Sequence, residues 1–174
     1  ASDVYKRQEF EYSDLIARHY DTKHHKIFVP GSELMENLPG AIGAMSEPMV
    51  SYDNIGFYLL SREVSKHIKV VQSGQGADEI FGGYHWYPPL AGANDPLASY
   101  SKAFFDRSDE TLRRHLSPEW HTETDVSLDF VRAHFGRPGA DDPVDKALRL
   151  DSRIMLVDDP VKRVDNMTLS LIHI

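Results

Sequence analysis

The chain has 174 residues, 41% of them hydrophobic and 26% charged, enough for one domain with a hydrophobic core. A formal charge of −8 argues against a nucleic-acid surface, which needs a basic face, although a local site can still hold a small anion. There is no cysteine, so disulfides, thiolate nucleophiles and cysteine-based zinc sites are excluded and a cytoplasmic location fits; no apolar run approaches the ~20 residues of a membrane helix, and no secretory signal pattern is present.

The two ends do not continue their neighbours' patterns. Residues 1–8 (ASDVYKRQ) and 169–174 (LSLIHI) read as translated sequencing-adapter DNA, the alternative being a frayed native tail at each end. On the first reading residues 9–168 are native and form an internal piece of a longer protein. Residues 9–20 carry Phe10, Leu15, Ile16 and Tyr20 at loosely helical spacing. Residues 24–30 (HHKIFVP) are apolar at Ile27, Phe28 and Val29 and stop at Pro-Gly, which predicts a buried strand. Ser32 then stands as a helix N-cap, with Pro39 and Gly40 bending or interrupting that helix. Asp53 can cap the next helix, which buries Ile55, Phe57, Tyr58, Leu59, Leu60 and Val64.

Residues 68–73 (IKVVQS) are β-branched and apolar. Six residues do not separate strand from helix by period, but the glycines after them favour a strand entering a loop. The order strand, helix, helix, strand predicts a helix-rich α/β domain with a partial parallel sheet. Residues 85–96 hold three prolines and read as a loop; residues 97–116 and 127–136 read as helices; residues 137–143 (RPGADDP) read as a linker. The rest reads as a helix, a break at Pro160 and a further segment.

The chemistry concentrates in residues 70–84, VVQSGQGADEIFGGY. A loop at the carboxyl end of a parallel strand faces the ligand crevice of α/β sheets. Glycines at 74 and 76 let the backbone approach a flat or anionic ligand. A helix starting near Gly76 or Ala77 offers free amides to a phosphate and places Asp78 and Glu79 in its first turn. Two carboxylates beside a phosphate call for a cation between them, and Mg²⁺ with its oxygen ligands fits. The plain alternative is an acidic first turn that only stabilises its helix, after a turn made of glycine. The Gly-Lys-Ser/Thr of a Walker A loop is missing.

The order SGQGADEIFGGY resembles the S-G-E-G-x-D-E-x-F-G-G-Y signature of the asparagine synthetase family, in its ATP-using synthetase domain. The segment EPMVSYDNIGFYLLSREVSKHIKVVQS upstream and DDPVKRVDNMT downstream extend the resemblance over residues 9–168. The wording SGQGADE…GGYHWYPP is most similar to the N-acetylglutaminylglutamine amidotransferases, a branch that amidates a dipeptide. The resemblance implies an ATP-pyrophosphatase-type (adenine nucleotide alpha hydrolase-like) fold and a two-step reaction. ATP adenylates a carboxylate, of a dipeptide or aspartate, with release of pyrophosphate; ammonia from glutamine then displaces AMP. The protein's part is positioning and charge neutralisation.

Carried over by residue, Ser73, Gly74 and Gly76 would contact the nucleotide and Asp78 would hold Mg²⁺. Gln75 stands where many members have Glu, a residue tied to formation of the acyl-adenylate. Glutamine keeps hydrogen bonding but cannot accept a proton, which suits the dipeptide branch better than aspartate amidation. One of Lys162 and Arg163 would neutralise phosphates, unless they are a solvated surface pair. Glu47 and Pro48 line the substrate side or form a turn. Glu79 reads as a helix-start carboxylate, Phe81 and Tyr84 as packing residues. His24 and His25 are adjacent and face opposite ways on a strand, so they do not share a metal.

An S-G-G-x-D-S pyrophosphate loop and the cysteine nucleophile of a glutaminase do not occur in this sequence. The isolated chain is therefore expected to be inactive, with ammonia coming from a glutaminase domain that it lacks. Two further readings stay open: a non-enzymatic nucleotide-binding or structural module, and a ligase of the same fold with another acceptor, such as a β-lactam-forming relative.

Overall fold

The structure, a computed structural model, describes residues 2–49 and 51–169, with side chains from Phe10 onward. The reading of the ends as non-native falls partly on residues 1 and 170–174, which lie outside the described residues. Two compact units divide the chain, residues 1–38 and 39–174.

In the first unit, α1 (Ser2–His19) ends where Asp21 takes a left-handed φ of 49° and the Thr22 amide closes on the Ala17 carbonyl at 2.9 Å. Asp14 then ties down the returning chain: it accepts from Lys26 Nζ and lies 3.0 Å from His24 Nδ1. The Lys26 hydrogen bond holds the Asp14 carboxyl below its usual range. The strand expected within residues 24–30 is not formed; α2 (Gly31–Gly43) comes directly after, with Ser32 inside the helix rather than capping it.

In the second unit, Gly40 of α2 lets the backbone come close to Tyr58, whose hydroxyl would meet an added Cβ at 2.7 Å. Tyr58 belongs to α3 (Asp53–Val64), where Asp53 lies in the first turn and Tyr52 precedes it as N-cap without a side-chain bond. Residues 68–73 form no strand, and among the described residues there is no strand at all. The helix-rich part of the α/β expectation is met, while the parallel sheet is not confirmed among the described residues. The physical reason is that β-branched side chains favour a strand only when a neighbour accepts its ladder. The backbone groups of residues 69–72 have no hydrogen-bond partner among the described residues, and Val70 is 80% exposed.

The chain then turns through α4 (Ala77–Phe81), bounded by left-handed glycines, Gly76 at φ 96° and Gly82 at φ 70°. A Cβ on Gly76 would also touch Leu156 at 3.4 Å, and one on Gly83 would fall 2.0 Å from Asp78 Oδ1. The proline-rich stretch expected as a loop contains a helical turn, α5 (Tyr87–Leu90), because proline pre-sets φ for the first turn of a helix. Four later helices start on side-chain caps. Asp95, Ser108, Asp125 and Asp142 accept from amides at the starts of α6 (Pro96–Phe104), α7 (Asp109–His115), α8 (Val126–Phe135) and α9 (Pro143–Leu150).

From α9 the chain continues without the break expected at Pro160. It passes through π-helical turns at Asp151–Met155 and Val157–Val161 into α10 (Lys162–Leu169). Proline has no N–H and clashes with the carbonyl four residues back; a π turn shifts the pattern to i→i+5 and accommodates both. Arg149 holds the start of the segment expected as a linker, donating to the carbonyls of His134 at 2.7 Å, Pro138 at 2.9 Å and Arg137 at 3.2 Å.

The core gathers Tyr87, Leu90, Tyr100, Val131, Phe135, Ala147 and Leu150. In its midst Asp151 is fully buried, accepting from Trp86 Nε1 at 3.0 Å, Tyr87 Oη at 2.6 Å and the Tyr100 hydroxyl. Burial pushes the Asp151 carboxyl above its ordinary 3.8, and the three donors pull against that rise. The same burial, with Asp151 as neighbour, raises the Tyr87 and Tyr100 phenols.

Tyr87→Phe and Tyr100→Phe should each lower the unfolding free energy by about 1.5–3 kcal/mol, the range for a hydrogen bond to a charged group, in urea melts at neutral pH. Because the folded chain holds the Asp151 proton more tightly than the unfolded one, this group favours folding most below 3.8, and its contribution declines as pH rises from 3.8 through the folded value. The stability of wild type minus Asp151→Asn should therefore shrink with rising pH across that window; a difference that grew would contradict the raised carboxyl. Gly76→Ala should cost about 1–2 kcal/mol through its positive φ, whereas Gly74→Ala, with open space at Cβ and no positive φ, should change stability by less than about 0.5 kcal/mol.

Candidate functional site

The glycine-rich stretch is an exposed loop held from below. Ser73 is exposed, and its Oγ accepts the Gln75 amide at 3.2 Å, a hydroxyl-made turn. The Ala77 amide donates to the Gly74 carbonyl at 3.3 Å. Gly74 and Gln75 face solvent, while Gly76 is buried against Leu156 of the π-helical segment. Ser73 also borders a cavity of about 210 Å³, with Phe57, Leu60 and Val64 of α3, Val71, and Val164 of α10. An open apolar cavity of about 460 Å³, walled by Phe104, Phe105, Phe130 and Ile154, shares no residue with the loop.

The expected helix after the loop is present, but its five residues are too few to build a developed dipole. Any anion there would meet individual amides. The two acidic residues of α4 separate completely. Asp78 is exposed, with its carboxylate against Gly83, whose amide donates to the Asp78 carbonyl at 2.9 Å. Glu79 is buried at 1% exposure; one oxygen accepts from Tyr84 Oη at 2.8 Å, and the other has no partner among the described residues. It stands in the first turn of α4, where the sequence placed it, and is there an interior group. Phe81, expected to pack, is 84% exposed. Tyr84 does pack, stacking on Trp86 at 4.2 Å.

The two cations have different fates. Lys162 pairs with Glu47 and lies 3.9 Å from Asp158. The Glu47 hydrogen bond raises its ammonium above the usual lysine range. Its charge is half-buried and met only by exposed carboxylates. Arg163 is 7% exposed and bridges α10 to the start of α3: Nη1 donates to Ser51 Oγ at 2.7 Å and to Asp53 Oδ2 at 3.1 Å, with Asp159 at 3.7 Å. Its guanidinium also lies 5.3 Å from the Phe57 ring. Among the described residues, no three His, Asp or Glu side chains gather where they could hold a metal.

The sequence reading missed Asp151, the Glu79–Tyr84 bond, and Ser51 and Asp53 as partners of Arg163. Asp151 carried a legible signal. It continues the helical stripe Val144, Ala147, Leu148 at i, i+3, i+4 and i+7, and a carboxylate on an apolar stripe points to a buried acceptor. The other two depend on chain reversals and inter-helix contacts that spacing does not encode.

Comparison with known proteins agrees with the glycine-rich motif. The family model described as asparagine synthase matches residues 2–170. A putative glutamine-hydrolysing asparagine synthetase of Mycobacterium tuberculosis is 35% identical over 94 residues, 54% of this chain and 13% of the relative. Asparagine synthetase 1 (glutamine-hydrolysing) of Bacillus subtilis is 39% identical over 62 residues, 36% of this chain and 10% of the relative. The same organism's asparagine synthetase 3 (glutamine-hydrolysing) is 29% identical over 138 residues, 75% of this chain and 21% of the relative. The matched part thus spans between a tenth and about a fifth of these curated relatives. No solved structure matches. With the family model covering nearly its whole length, this chain belongs to the asparagine synthase family.

Proposed function

We propose that this chain is the middle of the synthetase domain of an ATP- and glutamine-dependent amidotransferase, which adenylates a carboxylate and converts it to an amide. The observation that carries the reading is the run from Ser73 to Tyr84 within a chain of this family, folded as an exposed loop on a buried support. The acceptor we favour is a dipeptide, as in N-acetylglutaminylglutamine amidotransferases, over aspartate. What supports it is the wording of the motif and Gln75 in the place of a glutamate.

Ser73, Gly74 and Gly76 serve the nucleotide through hydroxyl and backbone, with only Gly76 requiring its glycine conformation. Asp78 offers one exposed carboxylate, and Mg²⁺ is commonly held by one or two carboxylates with the phosphates completing its shell, so the donor chemistry fits. Bound there, Mg²⁺ would neutralise the triphosphate as pyrophosphate leaves. Gln75, exposed and with no side-chain hydrogen bond among the described residues, orients the reacting carboxylate by hydrogen bonding and takes no proton. Lys162 is the cation of the pair that can turn from carboxylate to phosphate; Arg163 acts through α3, whose start it fixes. By itself the chain is expected to be inactive, since the ammonia source and the pyrophosphate loop belong to the rest of the parent protein.

Pyrophosphate release by the full-length parent tests this, with aspartate, glutamate and N-acetylglutaminylglutamine each offered beside ATP, glutamine and Mg²⁺. Turnover with the dipeptide is expected and should fall by at least about tenfold in Asp78→Asn; turnover on aspartate alone would move the chain to the other branch. Lys162→Ala should lower turnover while leaving the melting temperature nearly unchanged. Arg163→Ala should instead destabilise the fold by about 1–3 kcal/mol, because it strips a buried donor from Ser51 and Asp53.

A further inference from the structure

Among the residues of α4, Glu79 alone is buried, while Ala77, Asp78, Ile80 and Phe81 all face solvent. A carboxylate is the side chain least suited to an interior unless fixed donors meet it. The donor comes from five residues on, by a route that needs both glycines. Gly82 at φ 70° and the Gly83 amide on the Asp78 carbonyl reverse the chain, and Tyr84 returns to place its hydroxyl on Glu79 at 2.8 Å. The Tyr84 ring is itself anchored, stacked at 4.2 Å and 18° on Trp86, whose indole N–H donates to the buried Asp151. Burial, with Glu79 as acceptor, raises the Tyr84 phenol above its ordinary 10, as expected for a closed contact.

The same reversal sets Asp78. Its Oδ1 lies so close to Gly83 that any Cβ there would fall 2.0 Å away. We infer that Glu79 is a positioning residue: with Tyr84 it forms a latch across the Gly82–Gly83 turn that fixes the carboxylate of Asp78. Glu79 is too deeply enclosed to meet an ion at the loop surface itself, although one of its oxygens has no partner among the described residues. The latch stands on the geometry of the loop alone; only its effect on nucleotide binding rests on the function proposed above.

Hydrogen exchange on the 174-residue chain tests the latch. Glu79→Ala and Tyr84→Phe should each speed exchange of amides 77–84 by about tenfold or more, while Glu79→Gln, which keeps an acceptor for the hydroxyl, should stay within about threefold of wild type. Unchanged exchange in Tyr84→Phe, which removes one oxygen and keeps the ring, overturns the latch even if Glu79→Ala fails to fold. Exchange as fast in Glu79→Gln as in Glu79→Ala overturns it too, because the charge rather than the hydrogen bond would then matter. Calorimetric titration of the full-length parent with Mg·ATP supplies the second arm. Glu79→Ala should raise the Kd about tenfold when Asp78 is present and add little once Asp78 is Asn; additive losses overturn positioning through Asp78. A wild-type parent that takes up no Mg·ATP removes the nucleotide reading, and the exchange pattern then decides the latch alone.

Discussion

Asp151 is a carboxylate with no exposed surface, ringed by an indole and two phenols, and much of the second unit is arranged to satisfy it. An ionised group in an apolar interior is tolerated only when its oxygens are met by donors. Trp86, Tyr87 and Tyr100 provide them from α5 with its N-cap and from α6, and each also brings a large ring that fills the core. Polar and apolar demands are thus met by the same three side chains. The helix carrying Asp151 is fixed in place and in rotation, and the π turns begin at that residue.

From this fixed helix two supports extend toward the loop. Leu156, beyond Asp151 on the same continuous helix, lies under Gly76, and Trp86, bound to Asp151, lies under Tyr84. Farther along, Arg163 reaches Ser51 and Asp53 and sets the start of α3. The exposed face of residues 73–78 therefore rests on buried contacts beneath it. A loop with so few bonds of its own keeps one shape because the surface that carries it is rigid.

The sequence was most informative where chemistry is local. Residues 97–116 and 127–136 were legible as helical because such a pattern lies within consecutive residues, although the side-chain caps at Asp95, Ser108, Asp125 and Asp142 and the separation of α6 from α7 were not read from it. The motif around Ser73 was legible for the same reason, and its glycines do carry the left-handed angles at 76 and 82. Residues 68–73 were misjudged because β-branched composition describes what a segment would do with a neighbour, and no ladder partner lies among the described residues. Pro160 was misjudged because a proline ends an α pattern but not a wider π turn. Glu79 and Arg163 have roles set by chain reversal and helix pairing, which no spacing rule contains.

The guanidinium of Arg149 changes the meaning of the stretch after α8. Proline, glycine and adjacent aspartates gave residues 137–143 the look of a flexible joint, yet three carbonyls of this corner are gathered on a side chain one helix later. The corner between α8 and α9 is consequently a rivet that ties the end of one helix to the side of the next. A circular permutation or an inserted tag placed at this corner would have to break that fork, so a site that composition marks as permissive is in fact mechanically committed.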